Sequence, residues 1–254
     1  SSDLRVQALI ANLGILLPIP VAVLAIFLSK KYNKNKKITV IPHYNAPKGV
    51  NPLLAAYVYK KNVPNSAISA QIIQFAIDKY LKIKQLSKKD YELQKLEKDS
   101  PSENTEKKLY DALFETDENV SLKKLSTKFF SAVASLRSLV DKEAYDSEYF
   151  SRQQKKISNR YAVLSSIGLF VVFTTAALFI ENATMSWFWG LLLSFLIMII
   201  FAVSIDKRAK KGNELYYELE GLKMYINTAE KHRIEFHNDP KKYLGVFEKL
   251  LPYA

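Results

Sequence analysis

The chain has no cysteine, and its 254 residues include only seven glycines and three histidines. The lack of cysteine excludes disulfide bonds and thiolate chemistry. The glycines form neither a phosphate-binding loop nor a Gly-x-Ser-x-Gly elbow, and the pattern His-Glu-x-x-His does not occur. We therefore expect no enzyme in this chain, with no catalytic residue, no metal and no cofactor.

Two of the three histidines lie close together near the C-terminus, which makes them candidate metal ligands. His232 and His237 are five residues apart, so on one helix they point in different directions. Together with Glu230 they match no common ligand spacing, and neighbouring basic residues add positive charge. We interpret Glu230 and Arg233, three residues apart, as a local ion pair rather than as part of a site.

Charged residues are also missing from three long apolar runs, 6–28, 161–180 and 187–205. At about 1.5 Å of rise per helical residue, each run matches a hydrocarbon core about 30 Å thick. The sequence therefore predicts transmembrane helices at 6–28, 160–180 and 187–205. No span carries an ionisable group of the kind that marks a transport pathway, and the prolines of the first span predict a kink in an anchor.

Lysine and arginine cluster at one end of each apolar run. The clusters are Lys30, Lys31, Lys34, Lys36 and Lys37; Arg152, Lys155, Lys156 and Arg160; and Lys207, Arg208, Lys210 and Lys211. By the positive-inside rule these ends face the cytoplasm, so the N-terminus lies outside and the C-terminus inside a plasma or inner membrane. Basic clusters beside a bilayer bind anionic headgroups, which accounts for much of the net charge of +12 without nucleic acid.

The remaining residues are expected to form one cytoplasmic body. Residues 1–5 would be the outer end of a missing upstream domain, 29–50 a basic linker, 51–159 a winged-helix-like domain, 181–186 an outer turn and 206–254 a helical tail that packs on that domain. The predicted fold class is a mainly α membrane protein, with three transmembrane helices, a winged-helix-like α+β cytoplasmic domain and a helical cytoplasmic tail.

The order of local signals favours the winged helix. Asn51 followed by proline predicts the start of a first helix, and a turn at 63–69 leads to a second helix. Tyrosine and leucine spacing predicts a strand pair around 88–90. A capping box at 100–103 opens a further helix, and apolar positions every three or four residues predict a long amphipathic helix at 122–140.

A winged helix raises the question of nucleic-acid binding. The second helix and the wing offer Gln71, Gln74, Lys79, Lys82 and Lys84 as contacts. This set contains no arginine, and the wing mixes lysine with acidic residues, so it is a thin surface for reading bases. We favour a membrane-anchored interaction or scaffold module that binds a protein partner or a second copy of itself. The alternative is a membrane-tethered nucleic-acid-binding regulator.

Several short motifs together resemble a known family. They are the segments 72–83 and 109–114 and the residues Gly221, Ala229, Glu230, Arg233, Phe247, Glu248, Leu250, Leu251, Pro252 and Tyr253. This pattern resembles the C-terminal part of the YciQ-like predicted membrane proteins of bacteria, domain of unknown function 2207. The resemblance covers about 51–254 and implies an outer β-rich domain before Ser1 and a continuation after Ala254. The chain departs from it at Lys79, where the family usually has glycine. The family has no established activity.

Overall fold

A computed structural model describes residues 6, 12–32, 38–87, 90–115, 117–125, 127–179, 185–205, 208–235 and 250–253. The chain forms two compact units. The first, here the membrane unit, comprises Ser1–Lys36 and Phe150–Ala209. The second, here the α+β unit, comprises Lys37–Tyr149 and Lys210–Ala254.

The described residues are mostly helical. The helices are α1 (Pro18–Tyr32), α2 (Pro52–Lys60), α3 (Asn65–Ile77), α4 (Asn104–Leu113), α5 (Thr127–Asp146), α6 (Arg152–Phe179), α7 (Met185–Ile205) and α8 (Lys210–Glu235). The strands are β1 (Leu81–Ser87), β2 (Asp90–Lys95) and β3 (Asn119–Ser121), and short 3-10 helices lie at Gly14–Leu16, Leu122–Lys124 and Leu251–Tyr253.

Three helical segments of the membrane unit are long and apolar enough to cross a membrane, as the sequence predicts. They are Gly14–Tyr32, Arg152–Thr175 and Met185–Ile205. Part of the first predicted span lies outside the described residues. The helix of the second span, α6, begins eight residues before the predicted start at residue 160, so the basic cluster at residues 152–160 lies on the helix itself. The third begins at Met185, inside the predicted outer turn, whose residues 181–184 lie outside the described residues.

The spans pack closely where side chains are small. Gly14 meets the third span so tightly that a Cβ atom there would lie 2.7 Å from the Trp187 ring. Ser158 on α6 donates a hydrogen bond of 2.7 Å to the carbonyl oxygen of Ala202 on α7. The outer faces remain apolar: Phe27 is 67% exposed. Close packing through small and polar groups, together with apolar outer faces, suits a lipid environment.

In the α+β unit, α2 starts where the sequence predicts it. Asn51 is the N-cap, and its side-chain oxygen accepts a hydrogen bond of 2.8 Å from the Leu54 N–H. Proline follows at the first helical position, where its missing N–H costs nothing. The core beyond this helix is built from fully buried apolar side chains that include Val58, Phe75 and Leu93.

The predicted strand pair is confirmed, and it belongs to a sheet of three strands in the order β1-β2-β3. Both pairings are antiparallel, and Leu93 lies opposite Ile83 on one side and Val120 on the other. The third strand occupies the residues just before the helix predicted at 122–140. That helix therefore begins only at Thr127, after a 3-10 turn. The winged-helix assignment itself stays a prediction.

Two other predicted boundaries are wrong. The helix α3 begins at Asn65, inside the turn predicted at 63–69. The predicted capping box is absent, because α4 begins at Asn104 and its N-cap, Glu103, makes no side-chain capping bond. The physical reason is a competing contact, since the Glu103 carboxylate accepts a hydrogen bond of 2.9 Å from Asn51 Nδ2.

The turn that ends α3 contains Lys79, the residue at which the chain departs from the family pattern. This residue has a positive φ of 60°. The Tyr80 N–H donates to the Phe75 carbonyl at 2.9 Å and the Lys79 N–H donates to the Ala76 carbonyl at 3.2 Å. These two bonds form a Schellman motif, whose left-handed position favours glycine. In this chain Lys79 adopts the left-handed position, at the cost of a strained backbone conformation.

The helix α8 packs on α2 and on the segment that precedes it. The rings of Tyr59 and Tyr216 stack with centroids 5.4 Å apart. Gly221 lies directly under the chain at residues 41–43, where a Cβ atom would come within 2.8 Å of the His43 ring and closer still to the Ile41 carbonyl oxygen. The signature glycine therefore has a steric role at a close backbone approach.

Candidate functional site

A group of acidic and amide side chains lies in the α+β unit where four helices approach each other. It comprises Asn51 at the start of α2, Gln71 on α3, the N-cap Glu103 and the first-turn residue Glu106 of α4, and Glu143 on α5. Hydrogen bonds connect Asn51 to Glu103 and Gln71 to Glu106, and Thr105 bonds to both Asn51 and Glu143. We call this group the carboxyl cluster.

Gln71 is the most buried polar residue of the cluster. Its side chain is 0% exposed, and its Nε2 donates a hydrogen bond of 3.2 Å to Glu106 Oε1. Its Oε1 has no hydrogen-bond partner among the described residues. Gln71, named from the sequence as a possible nucleic-acid contact on the second helix, is therefore not on the surface. Gln71 shares the inward face with Ile68, Ile72 and Phe75, because residues three and four positions apart lie together on a helix.

A second set of bonds ties α4 to its neighbours. Asn51 Nδ2 donates to Glu103 Oε2 at 2.9 Å, and to Thr105 Oγ1 at the longer distance of 3.5 Å. The Thr105 hydroxyl also makes a hydrogen bond with the Glu143 carboxylate. One asparagine thus caps α2 with its oxygen and holds the start of α4 with its nitrogen.

Two carboxyl groups of the cluster, those of Glu106 and Glu143, are harder to ionise than ordinary ones. Burial raises the pKa of Glu106 to about 7, and repulsion by Glu103 adds to the effect, whereas the hydrogen bond from Gln71 opposes it. Burial also raises the pKa of Glu143, against the effect of its bond to Thr105. Glu106 therefore titrates close to neutral pH, unlike a carboxyl group in water.

The end of the chain covers this region. Leu250–Tyr253, here the signature segment, packs on α3 and α2, with Leu250 and Pro252 buried. The Tyr253 hydroxyl donates a hydrogen bond of 2.6 Å to the Val50 carbonyl. Burial raises the pKa of Tyr253 to about 12, and the carboxylates of Glu106, Asp78 and Glu103 contribute to this increase. The signature segment therefore lies in the electrostatic field of the carboxyl cluster.

The other signature residues are placed only in part. Gly221 lies at the crossing described above. Ala229, Glu230 and Arg233 belong to α8, but their side chains are not among the described ones, and Phe247 and Glu248 lie outside the described residues.

The residues predicted as nucleic-acid contacts do not share one helix face. The helix α3 ends at Ile77, so Lys79 lies in the following turn and Lys82 and Lys84 lie on β1. Gln74 donates a hydrogen bond of 2.9 Å to Asp78, and Gln71 is buried. The five residues are therefore divided between α3, the turn that follows it and β1.

The predicted basic residues lie mainly at helix ends. Lys30 and Lys31 are in the last turn of α1, Arg152, Lys155, Lys156 and Arg160 are in the first turns of α6, and Lys210 and Lys211 begin α8. Arg208 forms a β-bridge with Phe150. Lys34, Lys36, Lys37 and Lys207 lie outside the described residues. Lys211 donates a hydrogen bond of 2.9 Å to the Ser147 carbonyl oxygen, and this bond fixes the start of α8.

A second polar cluster was not predicted from the sequence. Tyr59 and Tyr216 both donate to Glu220 Oε1, at 2.8 and 2.9 Å, and Lys223 donates to the Tyr59 hydroxyl at 2.9 Å. That bond to Tyr59 raises the pKa of Lys223. Glu220 and Lys223 also line a cavity of about 330 Å³ on α8. The i,i+4 spacing of Tyr216 and Glu220 was the only sequence signal for this arrangement.

Neither cluster has the donor set of a metal site. Within the described parts of the chain, no group of three or more histidine, aspartate or glutamate side chains could hold a metal ion. The carboxyl cluster instead has the properties of a hydrogen-bonded contact, in which amide, hydroxyl and carboxyl groups join four helices.

Comparison with known families identifies residues 40–254 as a match to the C-terminal domain of the predicted membrane proteins called DUF2207. The chain belongs to this family. Comparison with curated proteins found no match, and comparison with solved structures found none. The family resemblance inferred from the signature residues is therefore confirmed, and the match extends eleven residues further toward the N-terminus than the 51–254 inferred from the sequence.

In this DUF2207 domain, two signature features now have structural explanations. Gly221 permits the close approach of residues 41–43 to α8, and the signature segment packs beside the carboxyl cluster. The protein is a predicted membrane protein with three candidate spans, and nothing in its family assigns an activity.

Proposed function

We propose that this DUF2207 protein is a multi-pass protein of the cell membrane whose α+β unit faces the cytoplasm and binds a protein partner. The basic residues at the ends of the spans support this orientation, because lysine and arginine are enriched on the cytoplasmic side. The same residues attract anionic headgroups to the inner surface.

The observation that carries the proposal is the exposed apolar surface of the β1–β2 hairpin. Ile83 is 37% exposed, Leu86 50%, Tyr91 39% and Leu96 37%, whereas Leu93 on the same hairpin is fully buried. Ile83 lies opposite Leu93, so Tyr91, two residues away on β2, is its diagonal neighbour on one face. Apolar side chains that remain exposed together on a folded unit are typical of interaction surfaces.

The position of β1 adds a second reason. It is an edge strand of the sheet, so one row of its backbone groups has no neighbouring strand within the sheet. If β1 paired antiparallel with a second copy around Ile83, Lys82 would face Lys84 of the other copy, which is unfavourable. A partner segment with acidic and apolar side chains fits this edge better than a second copy does.

Nucleic-acid binding has less support. The exposed lysines Lys79, Lys82 and Lys84 remain, but Gln71 is inaccessible and Gln74 is engaged with Asp78. Binding of DNA through three lysines would be weak and strongly dependent on salt.

The test uses the full chain, purified from its own membranes in mild detergent. We expect a stoichiometric protein partner that is lost when Ile83 and Tyr91 are both changed to serine. A matched control is Phe130→Ser, which removes an apolar side chain that is 62% exposed on α5. A monomer without a partner, or a partner retained by the double variant, would contradict the proposal.

A DNA-binding experiment distinguishes a protein partner from a nucleic-acid partner. A labelled duplex is titrated with the same preparations at about 50 mM salt, where phosphate contacts are strong. The proposal predicts no shift of the duplex. A salt-dependent shift that is lost on changing Lys82 and Lys84 to glutamate would favour the nucleic-acid alternative instead.

A further inference from the structure

The unpaired oxygen of Gln71 is the most unusual polar atom of the α+β unit. It is fully buried, and no described group donates a hydrogen bond to it. A buried acceptor without a donor is unfavourable, and native proteins rarely keep one. The neighbouring carboxyl group of Glu106 already accepts a hydrogen bond from the Gln71 amide. If that carboxyl group carried a proton, it could also donate one.

We propose that Glu106 is protonated while the signature segment is docked and that its O–H donates to Gln71 Oε1, so that one proton controls whether Leu250–Tyr253 stays on α3. An amide and a carboxylic acid can form two hydrogen bonds in parallel, one in each direction. The second bond would supply the donor that the buried oxygen lacks. An ionised carboxylate cannot supply it, because it only accepts.

The surroundings of Glu106 favour the protonated form. The charged groups that act on it are Glu103 on its own helix, Asp78 after α3 and Glu143 on α5, and all three oppose its ionisation. On the side of the signature segment, the titratable group is the Tyr253 hydroxyl, which is neutral and bonded to Val50. Burial and these three carboxylates raise the pKa of Glu106 from 4.5 to about 7.

The direction in which pH changes docking depends on how the pKa of Glu106 differs between the docked and undocked states of the signature segment. Without the signature segment more water would reach Glu106, so its pKa would fall below about 7, although Glu103, Asp78 and Glu143 would still oppose its ionisation. Docking is then strongest at low pH, where the group is protonated in both states. It weakens as the pH rises through about 7, where the docked form loses its proton, and is constant at higher pH.

The experiment measures docking directly in the full chain in detergent. Because the chain has no cysteine, Leu251→Cys offers one labelling site, at a side chain that is 37% exposed. A nitroxide label there reports the ratio of mobile to immobile segments between pH 5 and pH 8.5. Since Glu106 is only half-buried and partly screened by water, we expect this ratio to rise about tenfold, well below the roughly 75-fold that a fall of its pKa from about 7 to 4.5 would give over this pH range.

Two variants test whether the proton on Glu106, rather than another titrating group, causes the pH dependence of docking. In Glu106→Gln the new amide can donate to Gln71 Oε1 and accept from Gln71 Nε2 at every pH, so the ratio should no longer depend on pH. Glu103→Gln is the matched control: it removes one charge that opposes the ionisation of Glu106, so the midpoint should fall slightly, but the pH dependence should remain.

The proposal is overturned if the wild-type ratio does not change with pH, or if Glu106→Gln shows the same pH dependence as the wild type. Should that variant fail to fold, ¹³C NMR of the labelled glutamate carboxyls in the wild type gives the answer instead. A Glu106 midpoint near 7 supports the proposal, and a midpoint near 4.5 overturns it. Neither result depends on whether the β1–β2 hairpin binds a partner.

Discussion

Gly221→Ala tests the fold sharply, because one contact decides whether the substitution raises or lowers the free energy of unfolding. Gly221 lies inside α8, where an unobstructed change from glycine to alanine would stabilise the helix by about 1 kcal/mol. In this structure the added Cβ atom would lie under 3.0 Å from the Ile41 carbonyl oxygen and 2.8 Å from the His43 ring. Backbone atoms cannot move aside as easily as the end of a side chain, so either the preceding segment or α8 must shift.

Overpacking of this kind costs about 1–3 kcal/mol. After subtraction of the helix gain, we expect Gly221→Ala to lower the free energy of unfolding by about 1 kcal/mol, with an upper bound of about 2 kcal/mol. The assay is urea unfolding of the full chain in detergent, followed by circular dichroism. Asn227→Ala is the control, because this exposed residue of the same helix should change stability by less than about 0.5 kcal/mol. A Gly221→Ala protein more stable than the wild type by about 1 kcal/mol would show that residues 41–43 do not lie on α8.

Three further predictions concern caps and topology. Lys79→Gly should raise the free energy of unfolding by about 1 kcal/mol in the same assay, because glycine adopts a φ of 60° without strain; no gain would contradict the turn. Asn51→Ala should lower it by about 1–2 kcal/mol, through loss of the N-cap and of the bond to Glu103, and an unchanged stability would refute this role. A membrane-impermeant maleimide should label Met185→Cys in intact cells but Lys107→Cys only after permeabilisation; the reverse pattern would invert the proposed orientation.

Local signals in the sequence predicted much of the fold. Span length and flanking charge identify transmembrane helices because bilayer thickness and interfacial charge act on a continuous stretch of chain. The N-cap at Asn51 and the hairpin of β1 and β2 were also predicted, since each depends on a few adjacent residues. Strand β3 was missed because three residues carry no periodic signal.

The candidate site could not be predicted in the same way. Gln71 was expected on the surface because glutamine is usually exposed. Its burial depends on Glu106, which is 35 residues away along the chain. The capping box failed for a similar reason, since Glu103 bonds to Asn51, 52 residues earlier. Contacts at such separations leave no pattern within one segment, although the family signature did draw attention to Tyr253.

The proposed contact between the β1–β2 hairpin and a protein partner at the membrane can be tested by photo-crosslinking in intact cells. A photoreactive amino acid replaces Ile83 or, as the control, Phe130. Both side chains are exposed, but only Ile83 belongs to the hairpin. We expect one discrete protein adduct from position 83 and none from position 130. Equal adducts from both positions, or no adduct from position 83, would contradict the proposed partner contact.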